Sequence, residues 1–344
     1  MVRGDIEGWN IGKIKPLKDS SLLQLKICGT GESAIKLYIL KRLFILVLLL
    51  FGITLLTFSL TKALPGDPVQ SLVGERAQPE VIEKIRKELG ADKGVFSQYA
   101  GYVKLLLKGE MGRSYYTNRK VLDDILIKFP NTMKLAFGAM AIAVPIGIFL
   151  GFIAAYKRDT PIDRIISAVS ITGVSLPVFW SGLMIMLFLS LELRLFPPSG
   201  TGGVRFLVMP ALTLSLPAIA ALARVTRTSA IEISETPFIG TARAKGLSIF
   251  RINAIHIFRN ILIPLVTIIG LDFGSYLNGA VLTETIFGWD GIGRFTMDGI
   301  IKRDYPVIMG CIIIGTVVFV LINIIVDVLY HYLDPRVRLY ASDR

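Results

Sequence analysis

Residues 231–265 read IEISETPFIGTARAKGLSIFRINAIHIFRNILIPL, and this basic stretch lies between two segments apolar enough to sit in lipid. Thr236-Pro237 predicts a helix start, because threonine suits the N-cap and proline suits the first helical position. Gly246 is predicted to end this short helix in the left-handed conformation, with Leu247 as the following apolar contact. Ser248 is predicted to cap a second helix that enters the membrane. The sequence therefore predicts a helix, a glycine corner and another helix, presented outside the bilayer.

The first of these helices is narrow, so that a partner surface could approach its backbone closely. Its small residues are Gly240, Thr241, Ala242 and Ala244. The second helix is predicted to run through Phe250, Ile255 and Phe258 into the membrane.

The composition indicates a membrane protein. The chain has 344 residues, of which 53% are hydrophobic, and its mean hydropathy is +0.61; soluble enzymes are rarely that apolar. Six segments are long enough to cross a hydrocarbon core, which needs about 20 apolar residues. These segments are Leu43–Leu60, Leu135–Ala155, Ile165–Leu191, Phe206–Ala223, Ile261–Thr283 and Val307–Val326. We therefore predict an all-α membrane protein with six transmembrane helices.

The net charge of +12 is distributed in a way that predicts an orientation. If the N-terminus is cytoplasmic, the inner segments carry twenty lysines and arginines, and the two short outer loops carry five. This asymmetry follows the positive-inside rule. We therefore expect both termini to be cytoplasmic and the basic residues to orient the protein against lipid, with no nucleic-acid partner.

The spans divide the chain into five regions. We predict a cytoplasmic tail over 1–36, the first transmembrane helix over 37–60, an extracytoplasmic insertion over 61–130, a transmembrane core over 131–333 and a cytoplasmic tail over 334–344. The loop 232–260 lies within the core. The tail 1–36 could be disordered or could form a short interfacial helix. In the insertion, Pro79–Leu89 is predicted to form an amphipathic helix, followed by a second helix that carries Tyr102, Leu105 and Leu106.

Prolines and small residues recur inside the predicted spans. Gly147/Gly151 and Gly270/Gly274 have the four-residue spacing that lets helices pack closely in lipid. Pro145, Pro177, Pro210 and Pro217 are predicted to lie within helices and to free backbone carbonyls that neighbours or water must satisfy. Interrupted helices of this kind suit a bundle that changes shape.

The stretch 231–265 resembles the EAA loop of the membrane permeases of ATP-binding cassette importers. On that pattern the Glu-Ala-Ala opening falls on Gly240-Thr241-Ala242, the glycine on Gly246, and the closing Ile-x-Leu-Pro on Ile261–Pro264. The sequence TARAKGLS and the long spacing between it and RNILIP are similar to those in the dipeptide, oligopeptide and nickel permeases. Further matches in the same order are Gly109–Ser114, Glu284–Trp289, Gly291–Arg294, Arg303–Pro306 and Leu333–Arg338.

The resemblance implies a non-catalytic permease subunit of an ATP-driven, binding-protein-dependent importer in a prokaryotic cell membrane. Its substrate would be di- or oligopeptides, with nickel or oligosaccharides as the alternative. The implied partners are a second, related permease in a heterodimer, two ATPase subunits and an extracytoplasmic solute-binding protein. ATP and Mg²⁺ would bind the ATPase subunits and no cofactor would bind this chain. The insertion could contact the binding protein or only cap the membrane domain. The loop residues implied in coupling are Gly240, Thr241, Ala242, Arg243, Ala244, Lys245, Gly246, Leu247 and Pro264.

Asp272 is the one charged residue inside the six predicted spans. A carboxylate at mid-membrane is costly, so we expect it to face a watery path or a partner. Helical spacing predicts that Ser275, Tyr276 and Gly279 lie on the same side of the helix, as a candidate translocation path. The alternative is a structural carboxylate that is protonated or bonded to a neighbouring helix.

Two other classes of membrane protein compete with an importer subunit. A membrane enzyme needs paired catalytic groups, but His256 and His331 lie on different predicted elements and no His-Glu-x-x-His or Gly-x-Ser-x-Gly motif occurs. The sequence also has no P-loop for ATP. An ATP-independent transporter would leave the helix–glycine–helix insert unexplained. Cys28 lies in the predicted cytoplasmic tail and Cys311 in the last predicted span, so no disulfide between them is expected. No cluster of His, Cys or Met residues occurs in the predicted helices, and no metal site is expected.

Overall fold

The computed structural model describes residues 31–63, 80, 83, 84 and 94–333. This part of the chain is helical, and its one bridge pairs Arg113 with Lys120. The prediction of an all-α membrane protein is confirmed in this general form. The contacts divide the chain into two compact units, Met1–Phe44 and Ile45–Arg344. The predicted helix Pro79–Leu89 and both tails lie mostly or wholly outside the described residues.

The helices follow one another along the described chain as α1 to α11. They are α1 (Gly31–Ala63), α2 (Val95–Leu107), α3 (Val121–Tyr156), α4 (Pro161–Ser175), α5 (Val178–Met186), α6 (Val204–Ser234), α7 (Pro237–Ala244), α8 (Ile249–Leu277), α9 (Val281–Ile286), α10 (Ile292–Lys302) and α11 (Tyr305–Leu333). A π-helical turn, Leu187–Glu192, follows α5, and another, Ile252–Ile257, lies inside α8.

Four described helices are long and apolar enough to cross a membrane, namely α3, α6, α8 and α11. The helix pair Pro161–Ser175 and Val178–Glu192 makes a fifth crossing if the two are taken together. The described apolar part of α1, Phe44–Leu60, is shorter than the other spans. The structure thus supports four to five spans, and the count of six stays a prediction.

The third predicted span is broken. We expected Pro177 inside one helix over Ile165–Leu191, but the structure ends α4 at Ser175, starts α5 at Val178 and bends the pair by 102°. Proline disfavours the helical conformation in the residue before it, and Leu176 is indeed extended, with φ −73° and ψ 130°. Pro177 therefore caps α5 and does not lie within a helix.

Close packing of α3 on α6 forms the centre of the bundle. A Cβ added at Gly147 would lie 2.6 Å from the Leu222 Cβ, and one added at Gly151 would lie 2.4 Å from the Thr226 Cβ. A Cβ at Gly270 would lie 2.2 Å from a methyl group of Val326, where α8 packs on α11. The small-residue pairs are therefore packing sites, as their spacing predicted.

The turn from α9 to α10 closes around a buried carboxylate. Glu284 is fully buried, and its Oε1 accepts a bond from the Thr132 hydroxyl while its Oε2 accepts one from the Arg294 amide, each at 2.9 Å. A Cβ at Gly291 would lie 2.5 Å from the carboxylate, so only glycine allows the backbone to wrap it. Trp289 donates from its indole to the Asn131 carbonyl at 2.9 Å. The turn is thus fastened to the start of the apolar part of α3.

A second set of hydrogen bonds links the Gly109–Ser114 turn to the residue before α11. The Ser114 hydroxyl donates to the carboxylate of Asp304, and the Tyr115 amide donates to its other oxygen at 3.2 Å. Both Ser114 and Asp304 are buried. Two of the motifs that carry the resemblance, separated by about 190 residues, therefore meet in space.

Candidate functional site

The polar stretch between α6 and α8 forms a sharp corner, and we call Pro237–Arg251 the corner segment. Thr236 is the N-cap of α7 and Pro237 its first helical residue, as predicted. The Thr236 hydroxyl donates to the Ile233 carbonyl of the preceding helix, and no side chain caps α7. Ser248 caps α8 as predicted, because its hydroxyl oxygen accepts a bond from the Arg251 amide at 3.4 Å.

Gly246 makes the corner. Its φ of +75° is in the left-handed region that favours glycine, and it follows the last turn of α7 directly. The Gly246 amide donates to the Arg243 carbonyl at 2.9 Å, and the Leu247 amide donates to the Ala242 carbonyl at 3.3 Å. These two bonds form a Schellman motif. The predicted glycine corner is therefore confirmed as a structural feature.

The inner face of α7 packs into the bundle. Ile239 and Ala242 are buried in an apolar cluster with Ile252, Ile257 and residues of α3 and α6. Leu247, the apolar contact expected after the glycine, packs against this cluster. A movement of α7 would therefore be carried directly to α6 and α8, because interiors are close-packed.

The outer face of α7 is exposed and thin. The exposed small and basic residues of this helix and of the two positions after it are Gly240, Thr241, Arg243, Ala244, Lys245 and Gly246. A Cβ added at Gly240 would meet no atom within 4 Å. The predicted narrow surface is thus open, with two cationic side chains beside it.

Three apolar residues of the corner segment are exposed. Phe250 is 82% exposed and Ile249 is 57% exposed at the start of α8, the helix that was predicted to run through Phe250 into the membrane. Phe238 on α7 is 45% exposed. None of the three was among the predicted coupling residues. Together these three side chains add an apolar patch to the corner segment.

Behind the corner segment lies a cavity of about 440 Å³. It opens between the end of α3, the end of α6 and the start of α8, and its lining includes Tyr156, Ser234, Arg243, Leu247 and Asn253. The π-helical turn Ile252–Ile257 borders it, and Pro264 follows within α8.

Two ion pairs hold the turn between α3 and α4 against α6. Asp163 is buried, and the guanidinium of Arg227 donates to both of its oxygens, with Nη2 2.7 Å from Oδ2. Arg158 pairs with Glu235 at the end of α6, and both of these side chains are exposed. The hydrogen bond and charge of Glu235 raise the pKa of Arg158 above the ordinary value of an arginine. Neither pair was predicted from the sequence, because their partners lie more than 60 residues apart.

The candidate path residues separate in the structure. Asp272 is half-buried and Ser275 is exposed on α8, while the Tyr276 hydroxyl donates to the Leu214 carbonyl of α6 at 2.8 Å. Gly279 does not continue this stripe, because α8 ends at Leu277 and Gly279 has a φ of +105°. A Cβ there would lie 2.8 Å from the Gly293 Cα, so the two backbones touch. The helical spacing used for Gly279 was therefore wrong.

The described residues contain no group of three or more His, Cys, Asp or Glu side chains placed to hold a metal ion. Cys311 is buried as a free thiol.

Comparison with known proteins identifies the family. The family described as "Binding-protein-dependent transport system inner membrane component" matches residues 147–339, and its N-terminal counterpart matches residues 35–136. The chain belongs to this family of importer permeases. The resemblance drawn from TARAKGLS and the later motifs is thereby confirmed.

Named relatives of this permease cover nearly its whole length. The "Di/tripeptide transport system permease protein DppB" of Pseudomonas aeruginosa is 39% identical over 330 residues, which cover 88% of this chain and 98% of the relative. The dipeptide permease DppB of Escherichia coli K12 is 36% identical over 333 residues, and the glutathione permease GsiC of E. coli O6:H1 is 37% identical over 301 residues. Each of these two alignments also covers 88% of this chain and 98% of the relative.

A solved structure shares the fold. The inward-facing MetNI methionine ABC transporter matches with a TM-score of 0.54 and 18% identity, covering 61% of this permease and 96% of that chain. The family match and the apolar helices make this permease a multi-pass prokaryotic membrane subunit of an ABC importer. Such a subunit works with further permease, ATPase and binding-protein subunits.

Proposed function

We propose that this permease imports di- or oligopeptides and is driven by ATP hydrolysis on partner subunits. The names of the relatives support a peptide substrate. A related but distinct permease would complete the translocation path as a heterodimer, two ATPase subunits would bind the inner side, and a solute-binding protein would deliver the substrate. ATP and Mg²⁺ would bind the ATPase subunits and no cofactor this chain. Import of nickel or oligosaccharides is the second candidate, and ATP-independent transport is a distant one.

The corner segment carries this proposal. Its inner face is packed into the bundle through Ile239 and Ala242, whereas its outer face combines a thin helix with exposed Phe250. Exposed apolar side chains in a well-defined patch are typical of a docking site. We infer that the coupling residues Gly240–Leu247 dock into an ATPase subunit, with Phe238, Ile249 and Phe250 as apolar anchors and Arg243 and Lys245 at the polar rim.

Coupling would be mechanical. ATP binds the closed ATPase dimer more tightly than the open one, and this difference in affinity is the free energy that can move a docked element. A displaced α7 would push the apolar cluster that it shares with α6 and α8. Pro264 and the π-helical turn lie in the part of α8 that packs in this cluster, and a helix bends most readily at such positions.

The path would run beside the outer part of α8. Asp272 and Ser275 lie on the accessible side of that helix, and a carboxylate facing acyl chains would be costly. Asp272 would therefore face water or the second permease. The hydroxyl of Tyr276 is engaged with α6, so Tyr276 would line the path by its ring.

The orientation is part of the same proposal, with both termini cytoplasmic and residues 61–130 outside. Thr117 and Lys245 are both exposed, and they lie on opposite sides in this topology. In cells, a membrane-impermeant thiol reagent should label Thr117→Cys and leave Lys245→Cys unlabelled until the membrane is opened. The reverse pattern would overturn the orientation.

Reconstitution tests the function. The permease, its partner permease, the ATPase subunits and the binding protein are placed in proteoliposomes, and uptake of a labelled dipeptide, nickel and an oligosaccharide is measured with and without ATP. We expect ATP-dependent uptake of the dipeptide alone. Uptake without ATP, or of nickel or sugar in its place, would contradict the proposal.

A docking variant tests the corner segment in the same assay. Phe250→Ser should abolish uptake and weaken binding of the ATPase subunits, because it removes the most exposed apolar anchor. Ile301→Ser is the control, since Ile301 is 68% exposed on α10, far along the chain from the corner segment. Normal ATPase binding by Phe250→Ser would remove that residue from the docking surface.

A further inference from the structure

The helix α2 was expected in a water-exposed extracytoplasmic insertion, but its contacts place it beside the transmembrane helices. The Tyr99 hydroxyl lies 3.1 Å from the Thr54 hydroxyl of α1. The Tyr99 ring also packs against Phe51 and Phe58, with ring centroids 6.4 Å and 5.3 Å apart. Thr54 lies close to the middle of the apolar stretch Phe44–Leu60. The start of α2 is therefore level with the middle of α1's apolar stretch.

A contact with α11 fixes the position of the other end of α2. A Cβ added at Gly112, five residues after the last residue of α2, would lie 3.5 Å from the Cβ of Pro306, near the start of α11. The helix α2 thus slopes from the apolar depth of α1 up to the outer end of α11.

The side of α2 that faces away from the bundle is apolar. Phe96 is 91% exposed and Leu107 is 84% exposed, and Lys104 is the one charged residue in the helix. The neighbouring surface of α1 is similar, with Phe51, Leu55 and Leu56 exposed. A water-soluble binding protein does not reach that depth, so this continuous surface needs an apolar partner.

We propose that α2 is embedded in the membrane and that Phe96 and Leu107 bind acyl chains of the leaflet that contains the C-terminal half of α1. Lys104 lies in the last turn of α2 and Lys108 follows it, both exposed, so their ammonium groups can reach the headgroups while their stems lie along the lipid. The insertion 61–130 is then in part a lipid-binding element.

Electron paramagnetic resonance with a nitroxide on single cysteines tests the position of α2. The assembled transporter is reconstituted in nanodiscs with Cys28→Ser as background, since Cys311 is buried. Collision of the label with oxygen is compared with collision with a water-soluble nickel chelate. Leu56→Cys in α1 is the lipid reference, and Thr117→Cys, exposed in the turn before α3, is the water reference.

At Phe96→Cys we expect the logarithm of the oxygen-to-nickel ratio to be positive, as at Leu56→Cys and opposite in sign to Thr117→Cys. At Leu107→Cys it should be positive but smaller, because that end is shallower. A negative value at Phe96→Cys would place α2 in water and overturn the proposal. Low collision with both reagents would show that protein covers the surface, as a second permease would, and would overturn it equally. If Phe96→Cys does not assemble, the sign at Leu107→Cys decides.

Discussion

The guanidinium of Arg227 donates to both carboxylate oxygens of Asp163 and so links the start of α4 to α6. Arg227 lies ten residues before Pro237, the first residue of the corner segment. Asp163 is 3% exposed, and the Asp159 amide donates to the same carboxylate at 3.0 Å. The carboxylate of this ion pair is therefore buried, whereas the side chain of Arg227 is partly exposed.

Replacing Asp163 by asparagine should destabilise the permease by about 2 kcal/mol, because the bonds lost are charge-assisted and Arg227 is left unpaired. The exposed pair gives a matched control. Glu235→Gln, which breaks the bond to Arg158, should cost less than about 1 kcal/mol. Thermal unfolding of the two purified variants measures the difference, and equal melting temperatures would contradict it.

Gly246→Val should uncouple transport while the permease still inserts and assembles. At φ +75° a β-branched residue costs about 1–2 kcal/mol and should rotate the corner segment. Gly109→Val is the control, because Gly109 has a φ of +76° and equally open surroundings. We expect loss of dipeptide uptake and of substrate-stimulated ATPase activity in Gly246→Val only. Normal uptake by that variant would remove the glycine corner from the mechanism.

Gly151→Ala should loosen the contact between α3 and α6. The new methyl group would lie 2.6 Å from the Ala223 carbonyl oxygen as well as against Thr226, and overpacking of this kind costs about 1–3 kcal/mol. Gly52→Ala in α1 meets no atom within 4 Å and should be neutral or slightly stabilising. Melting temperatures in detergent check both variants. A Gly151→Ala protein as stable as the parent would mean that the helices can separate freely.

Glu284 should make stability depend on pH. Burial raises the pKa of the Glu284 carboxyl above the ordinary value of a glutamate, although the hydrogen bonds from Arg294 and Thr132 act in the opposite direction. The folded state therefore favours the protonated form. Its contribution is fully present below the ordinary glutamate pKa and is lost as the pH rises through the raised value.

Glu284→Gln keeps the shape of the side chain and removes the titration. Its melting temperature should fall less than that of the parent between acidic and neutral pH. Asp298→Asn, an exposed carboxylate on α10, should leave the parent's pH profile unchanged. Parallel profiles for the parent and Glu284→Gln would show that Glu284 does not titrate in this range.

Asp272→Asn should leave expression and assembly intact and alter uptake, most strongly for cationic peptides. The reason is that a carboxylate in a span costs about 2.5–3.5 kcal/mol unless it faces water or a partner. Asp272→Cys should react with small thiol reagents to an extent that depends on the nucleotide bound by the ATPase subunits. Normal uptake by Asp272→Asn, or an unreactive cysteine in every nucleotide state, would make Asp272 a packing residue.

The corner segment could be predicted from the sequence because its signals are local. Proline after threonine, one glycine and one serine determine where α7 ends and α8 begins, and each acts within a few residues. The exposure of Phe250 could not be predicted in this way, because an apolar residue beside a membrane helix suits lipid and a protein partner equally. The family resemblance showed where the corner segment lies in the sequence, but it did not show whether Phe250 contacts lipid or a protein partner.

Features that depend on distant packing escaped prediction. The predicted helical spacing failed at Gly279 because α8 ends at Leu277, and the backbone of Gly279 instead lies against that of Gly293 in another helix. The depth of α2 depends on Tyr99 meeting α1, and no periodicity in the sequence encodes that contact. The ion pair of Asp163 with Arg227 could not be predicted from the sequence for the same reason.

The break at Pro177 has an electrostatic consequence. Aligned peptide dipoles give a helix a partial negative charge at its C-terminal end and a partial positive charge at its N-terminal end. Because α4 ends and α5 begins within three residues at a 102° bend, these opposite partial charges come together at the bend. The backbone alone thus creates a polar point at a place where the side chains Leu176, Pro177 and Val178 carry no charge.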